Sequence, residues 1–398
     1  MAIADVKEYT HLTEEEVEQL GRELDAIRTE IEESRCQTDA AYINKIITIQ
    51  RRLAAAGRIT LFASMFPPAW LAGTAMLGVA KILENMEIGH NVMHGQWDWM
   101  NDPEIHSSTW EWDTAQPAEQ WKHSHNYIHH QFTNVLGYDN DIGYGILRMA
   151  REQKWHPANL GQPVYNAALA LLFQWGVALH DLDLEAIRTG KKDPTVMKKQ
   201  LRQIGRKIRR QIGKDYVLFP ALTGPAFLHT MAANATANLM RNVWSYMIIF
   251  CGHFPDGALH FTEEEVEDET RPEWYLRQML GSANFEGGPL LHVMSGNLGY
   301  QIEHHLFPDL PSNRYAEISV RVRALCEKYN VPYTTGPLHR QYGQALRTIT
   351  KLSLPNSFTT SDRPDVPEGP PVDHGRRNES DRPVRRTETG GWASRASA

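Results

Sequence analysis

The sequence predicts an all-α protein: integral-membrane helical hairpins carrying a cytoplasmic helical cap that holds a histidine-ligated metal site. Three observations lead there. Histidine recurs at helical spacing in three boxes far apart in the chain. Two stretches poor in charge have the length of helical hairpins. An apolar stripe of helical period opens the sequence.

The boxes carry the chemistry. His90 and His94 form an HxxxH pair, His125, His129 and His130 an HxxxHH triplet, and Gln301, His304 and His305 a QxxHH cluster, with His253 between the second and third. Residues four apart on a helix share a face, so His90 and His94 can aim at one point, as can His125 and His129. Adjacent histidines point in different directions, which suits a site with more than one metal ion. Neutral imidazole ligates iron, zinc, copper and nickel alike. A ligating imidazole usually donates its second N–H to a carboxylate or carbonyl, and Glu87, Asp98 and Asn134 stand at helical offsets that predict that role. A single HxxxH pair is equally well read as an ordinary hydrogen-bonded cluster, but three boxes and His253 together favour a metal. His106, His156, His180, His229 and His260 have no partner at ligand spacing and read as structural; His123, two before His125 at the border of the box, and His292, nine before Gln301, are left out of the ligand set; His11, His339 and His374 lie in polar stretches. From these residues alone, a haem-bearing electron carrier and a zinc-type hydrolase stay open.

The membrane elements are weaker signals. The chain has 398 residues and a formal net charge of −7, with a mean hydropathy of −0.47, and no clean run reaches the ~18 apolar residues expected of a crossing helix. Residues 59 to 80 carry no charge and are interrupted by Pro67-Pro68, which predicts two short helices, the second delivering His90 and His94 just past the membrane. Residues 216 to 253 read as a second hairpin with Arg241 facing inward, or as a soluble helix pair. Residues 164 to 182 are apolar but short, and an interfacial or re-entrant helix is expected there. Between Arg188 and Lys214 stand eleven Lys/Arg against one acid, Asp193. Basic loops stay cytoplasmic, so crossings near 55–80 and 216–252 place every box on the cytoplasmic side. The basic stretch suits anionic lipid headgroups or CoA phosphates, or else a solvated helix face.

The remaining segments bound the organisation. Thr13 through Glu16 is a capping-box pattern, and Val17, Leu20, Leu24, Ile27 and Ile31 then recur on one face of a helix over about 14 to 34, expected to pack on the catalytic body. Three divisions follow: a helical region 1–50, the main domain 51–354, and a tail 355–398 rich in Pro, Arg, Ser and Asp that reads as disordered. The start lacks the basic and apolar pattern of a signal peptide. Cys36, Cys251 and Cys326 form no CxxC, which fits a reducing compartment and excludes a cysteine-held iron–sulfur cluster in this chain. No GxGxxG follows a strand, and no nucleic-acid partner is expected. Five tryptophans, Trp97, Trp99, Trp110, Trp112 and Trp121, surround the first two boxes.

At its boxes the chain resembles the membrane fatty acid desaturases. Asn85 through Gln96, His125 through Asn134, and Gly299 through Pro308 are similar to that family's three histidine boxes, and the similarity extends over about residues 10 to 355. The resemblance implies two iron ions, activation of O2, and removal of two hydrogens from a long acyl chain to leave a cis double bond. It implies His90, His94, His125, His129, His130, His253, His304 and His305 as ligands, with Gln301 standing where many relatives have histidine. A long-chain acyl-CoA or acyl lipid is the implied substrate, with C9 of stearoyl-CoA first and front-end, linoleoyl-type desaturation as the alternative. A membrane hydroxylase of alkyl or acyl chains shares the first hydrogen abstraction. Electrons would come from a separate NADPH-dependent reductase carrying flavin and iron–sulfur groups, or from a ferredoxin.

Overall fold

The computed structural model describes residues 6–180, 182 and 193–358. The tail beyond 358 and the start of the basic stretch, Arg188 to Lys192, lie outside the described residues.

Helix α1 spans Glu14–Glu33 and opens with the expected cap: Thr13 Oγ1 accepts from the Glu16 amide at 3.2 Å, and Glu16 accepts from the Thr13 amide at 2.8 Å. Helix α2 (Gln37–Thr60) runs to a short turn, and α3 (Pro67–Leu83) returns beside it. Pro67 and Pro68 fall in the first turn of α3, where a missing N–H costs nothing and the fixed φ favours helix. The two helices approach closely because Gly73 has no side chain: a Cβ there would stand 3.1 Å from the Gly57 carbonyl of α2. The sequence predicts the break at the prolines; the first leg is a full 24-residue helix rather than a short one.

Further along, α4 (Gln162–Leu171) and α5 (Phe173–His180) are short and separated at Leu172. Helix α6 (Pro194–Ile212) is capped by Asp193, whose carboxylate accepts from the Thr195 amide at 2.7 Å. The predicted second hairpin is lopsided. Pro220, Gly224 and Pro225 break the chain, so the larger part of it is the 27-residue α7 (Phe227–His253), and the preceding leg is α6 with its extension to Leu222. The cap is built from α8 (Arg271–Leu280), α9 (Gln301–Leu306), α10 (Tyr315–Tyr329) and α11 (Leu338–Leu352). A minimal parallel pair, β1 (Asn284–Glu286) and β2 (Thr335–Pro337), joins them, with Asn284 opposite Thr335.

Two blocks of packing position the site. In the first, Leu20, Leu24, Ile27 and Ile31 of α1 share a core with Tyr275 and Met279 of α8, Leu306 of α9, and Ile318 and Val322 of α10. In the second, α3 packs along α7. Arg241, in the middle of α7, is 1% exposed and bonds to the Asp113 carbonyl, Gln174 and Asn242, so it faces the interior as a costly buried charge must. Among the described residues no helix is long and apolar enough to cross a membrane. Ile59, Phe62, Met65, Phe66 and Leu71 are nevertheless exposed around the α2–α3 turn, with Leu222 before α7 and Leu228 in its first turn. These turns sit together: Ser64 meets Thr230 at 3.1 Å, and Trp70 donates to the His229 carbonyl at 2.9 Å.

Candidate metal centre

The three boxes and His253 lie at the end of the α3 and α7 pair away from that apolar turn. Box one continues α3: Glu84–His90 is a π-helical stretch, followed by Asn91–Met93. Box two follows the short helix Ala118–Trp121 and is again π-helical over Lys122–His129, where His130 N bonds His125 O five residues back at 3.0 Å. Single π turns inside α-helices concentrate at functional sites, because the wider turn re-aims side chains. Box three is α9, and His253 closes α7. Box one is tied to the turn that leads into box three, where Asn91 donates to the Gly296 carbonyl at 3.2 Å. Gly296 has φ +74°, and a Cβ there would stand 2.7 Å from the Met86 carbonyl, so only glycine fits that contact.

The imidazoles converge in two groups. His90, His94, His125 and His304 form one, and His129, His130 and His305 the other, the donor atoms in each lying within 4.8 Å of one another. The groups touch: the ring of His130 is 4.8 Å from that of His304 and 4.7 Å from that of His94. His253 stands outside both donor sets but beside the second, 4.8 Å from His129 and 4.7 Å from His305 between ring centres. Gln301 reaches it, with its amide nitrogen 3.0 Å from His253 Nε2.

Hydrogen bonds at the far side of each ring fix where the lone pairs point. His129 Nδ1 lies 3.0 and 3.1 Å from the Asp139 carboxylate oxygens, and His125 Nδ1 lies 3.4 Å from Asp141. His90 Nδ1 meets Asn91 at 3.1 Å, and His304 Nδ1 meets the Tyr315 hydroxyl at 3.2 Å. His305 Nδ1 has Thr133 and Gln278, each at 3.1 Å. With Nδ1 carrying the proton, Nε2 is left as an acceptor with nothing to accept. The Nε2 atoms of His125, His304 and His305 and both nitrogens of His130 are buried without a partner, while His90 Nε2 and His94 Nε2 face each other at 3.3 Å. A buried polar atom with no partner costs about 1–3 kcal/mol. Five in one place fit cations rather than a self-sufficient hydrogen-bonded core.

Electrostatics agree with that fit. Burial and neighbouring imidazoles push His90 down to about 3 and hold His94, His130, His304 and His305 well below the ordinary range, so these rings are neutral and ready to donate. Burial lowers His129 too, but Asp139 and Asp141 outweigh it and raise that group. A cavity of about 980 Å³, its open mouth included, adjoins the centre. His90, His125, His129 and Gln301 line it at one side and Trp112, Tyr144, Phe173, Val177 and Ile249 elsewhere.

Sequence spacing misplaced several supporting residues. Glu87 serves the scaffold instead of a ring: Tyr42, Ser312 and Asn297 donate to it at 2.8, 2.7 and 3.0 Å, and burial pushes it up to about 8. Asp98 binds Ser107. Asn134 holds the carbonyl of His253 at 3.3 Å together with those of Leu259 and Gly281. The carboxylates that do meet rings, Asp139 and Asp141, come from the loop after box two, and their D-x-D pattern was the available signal. His180, read as structural, comes 3.5 Å from Asp141 and lines the cavity. Trp121 stacks on His125 at 4.4 Å.

Comparison with known proteins gives this geometry a family. Over 372 residues the chain is 55% identical to the NADPH-dependent stearoyl-CoA 9-desaturase of Mycobacterium tuberculosis, which covers 92% of this chain and 87% of that protein. Over 304 residues it is 25% identical to the sn-1 linoleoyl-lipid 6-desaturase of Synechocystis, covering 74% and 83%. Residues 66–337 match the fatty acid desaturase family. Its histidine geometry and its relatives together make this chain a member of the fatty acid desaturases, an oxidoreductase of lipid metabolism.

Proposed function

We propose that the protein introduces a cis double bond at C9 of stearoyl-CoA, using O2 and two iron ions. The ions are held by His90, His94, His125, His129, His130, His253, His304 and His305, with Gln301 orienting His253. The observation that carries this reading is the paired cluster of buried, neutral, unpartnered imidazole nitrogens beside a cavity. An iron pair, when bound, supplies the oxidising power toward an unactivated C–H bond that no side chain has.

The chain's own residues do the rest. Asp139, Asp141, Tyr315, Gln278 and Thr133 hold the Nδ1 protons and so keep the Nε2 lone pairs turned inward; such partners set tautomer and orientation. Trp112, Phe173, Val177 and Ile249 give the cavity an apolar lining suited to an acyl chain and to excluding water near the reacting carbons. Electrons come from a separate NADPH-dependent reductase. The exposed apolar cluster at the two turns, Phe62, Met65, Phe66, Leu71, Leu222 and Leu228, supports membrane residence, since patches of this kind mark membrane or partner contact. The boxes then face the cytoplasm.

The deciding experiment incubates membranes containing the protein with reductase, NADPH, O2 and labelled stearoyl-CoA, then locates the double bond. A monoene unsaturated at C9 is expected. A hydroxylated chain, a bond at another carbon, or turnover without O2 would overturn the assignment. Purified iron-replete protein without stoichiometric iron would remove the metal assignment separately.

A further inference from the structure

We infer that the outer face of α6 is a docking surface for anionic phospholipid headgroups at the bilayer interface; the inference rests on the membrane residence proposed above. Helix α6 carries seven basic residues and no acidic one between Pro194 and Ile212. Its inner face is spoken for. Ile204 is buried, Lys207 bonds Glu111 and the Trp112 carbonyl, and Gln211 reaches the Asp113 carbonyl and Gln174. The helix is therefore anchored on the strap that walls the cavity, and its rotation about its own axis is set.

That rotation leaves six basic residues outside. Lys198, Lys199, Arg202, Arg206, Arg209 and Arg210 are all exposed. At 3.6 residues per turn they fill an arc of about 120°. Among the described residues none of the six has a carboxylate within salt-bridge distance, whereas Lys207 and Lys214 on the inner side do. Beside the arc run exposed apolar side chains: Leu201 is 44% and Ile212 42% exposed, and Val217, Leu218 and Leu222 continue the line at 53–57%. That line leads to the apolar turn.

A basic arc flanked by exposed Leu and Ile is the pattern of a helix lying at a membrane surface. Charge alone would serve an acidic protein or a soluble phosphate equally well. The flank separates them, because a water-borne anion gains nothing from Leu201 and Ile212, while a bilayer interface takes up both. Each Lys or Arg at an anionic surface contributes roughly a fivefold preference.

The test titrates full-length, iron-loaded protein in detergent with phosphatidylglycerol or phosphatidylcholine and counts retained lipids by native mass spectrometry. The comparison variant replaces Lys199, Arg202, Arg206 and Arg210 by Gln, a good helix former; a second variant exchanges the three arginines for Lys. The wild type and the lysine variant are expected to prefer phosphatidylglycerol, and the glutamine variant to lose on the order of several hundredfold of that preference at low salt, with unchanged iron content and melting temperature. Equal preference in wild type and glutamine variant overturns the inference. So does displacement of phosphatidylglycerol by excess free CoA, which would make the surface a soluble-phosphate site. Loss of reduction by the donor protein with lipid preference intact would reassign it to an acidic protein. Failure of the wild type to retain either lipid would sink the membrane reading itself, whereas retention of both without preference sinks only this inference.

Discussion

Asp139→Asn tests the proposed centre most directly. Asp139 makes four contacts: both carboxylate oxygens face His129 Nδ1 at 3.0 and 3.1 Å, one also accepts from the Asn134 amide at 2.8 Å, and the other from the Asp141 amide at 2.9 Å. An asparagine cannot reproduce this in either orientation, because its NH2 always confronts a backbone N–H. One buried donor is left without a partner, which costs about 1–3 kcal/mol of stability. The second effect is on the metal. An amide oxygen still faces His129 Nδ1 but carries no charge, so the ring becomes a weaker donor to metal, and loss of such a carboxylate partner lowers metal affinity about 10–100-fold, or about 1.4–2.7 kcal/mol. The two effects separate by assay: chelator competition reads iron affinity, and melting of the metal-free protein reads stability. Asp141→Asn, whose ring contacts lie at 3.4–3.8 Å, should cost less affinity. Iron affinity unchanged within twofold in a folded Asp139→Asn protein would refute the reasoning.

Three further outcomes follow from the same geometry. Arg277, 1% exposed, pairs with Glu269 and donates to the carbonyls of Gln131 and Thr133 at the end of box two; Arg277→Met should cost about 3–5 kcal/mol by stranding a buried carboxylate, partly restored by adding Glu269→Leu, as read by thermal melting. Gly296→Ala should lower both stability and iron content, since the left-handed φ and the Met86 carbonyl both oppose a Cβ, at about 1–3 kcal/mol. Acid should unfold the metal-free protein early: the lowered folded values of His90, His94, His130, His304 and His305 mean that below about 6.5 the unfolded chain binds more protons, so stability falls as pH falls, by about 1.4 kcal/mol per unit for each ring. His129 acts oppositely, its raised value adding stability below about 6.5 that is lost as pH rises through the folded value. Iron-loaded protein should lose its near-UV circular dichroism at a lower pH than metal-free protein; coincident acid midpoints would contradict this.

What the sequence made legible was periodicity, and what it hid was tertiary closure. The α1 stripe from Val17 to Ile31 is buried as its spacing demands, and the prolines at 67 and 68 start α3 because they can stand nowhere deeper in a helix. The histidine boxes were visible for the same reason: ligands on one helix must recur at its period. Their π-helical turns were not, because no residue type marks an extra residue per turn. The partners of the rings were hidden more deeply. Helical offsets nominated Glu87 and Asp98, but an imidazole pointing into the cluster turns its second nitrogen outward, toward other segments. It is met there by Asp139 from a loop, Gln278 from α8 and Tyr315 from α10. Same-helix spacing could therefore find ligands but not the groups that aim them. The same logic explains α6. Its charge was plain in the sequence, yet which six of its basic residues face outward was decided by Lys207 and Gln211 gripping the 111–113 strap, a contact across nearly a hundred residues that no local pattern encodes.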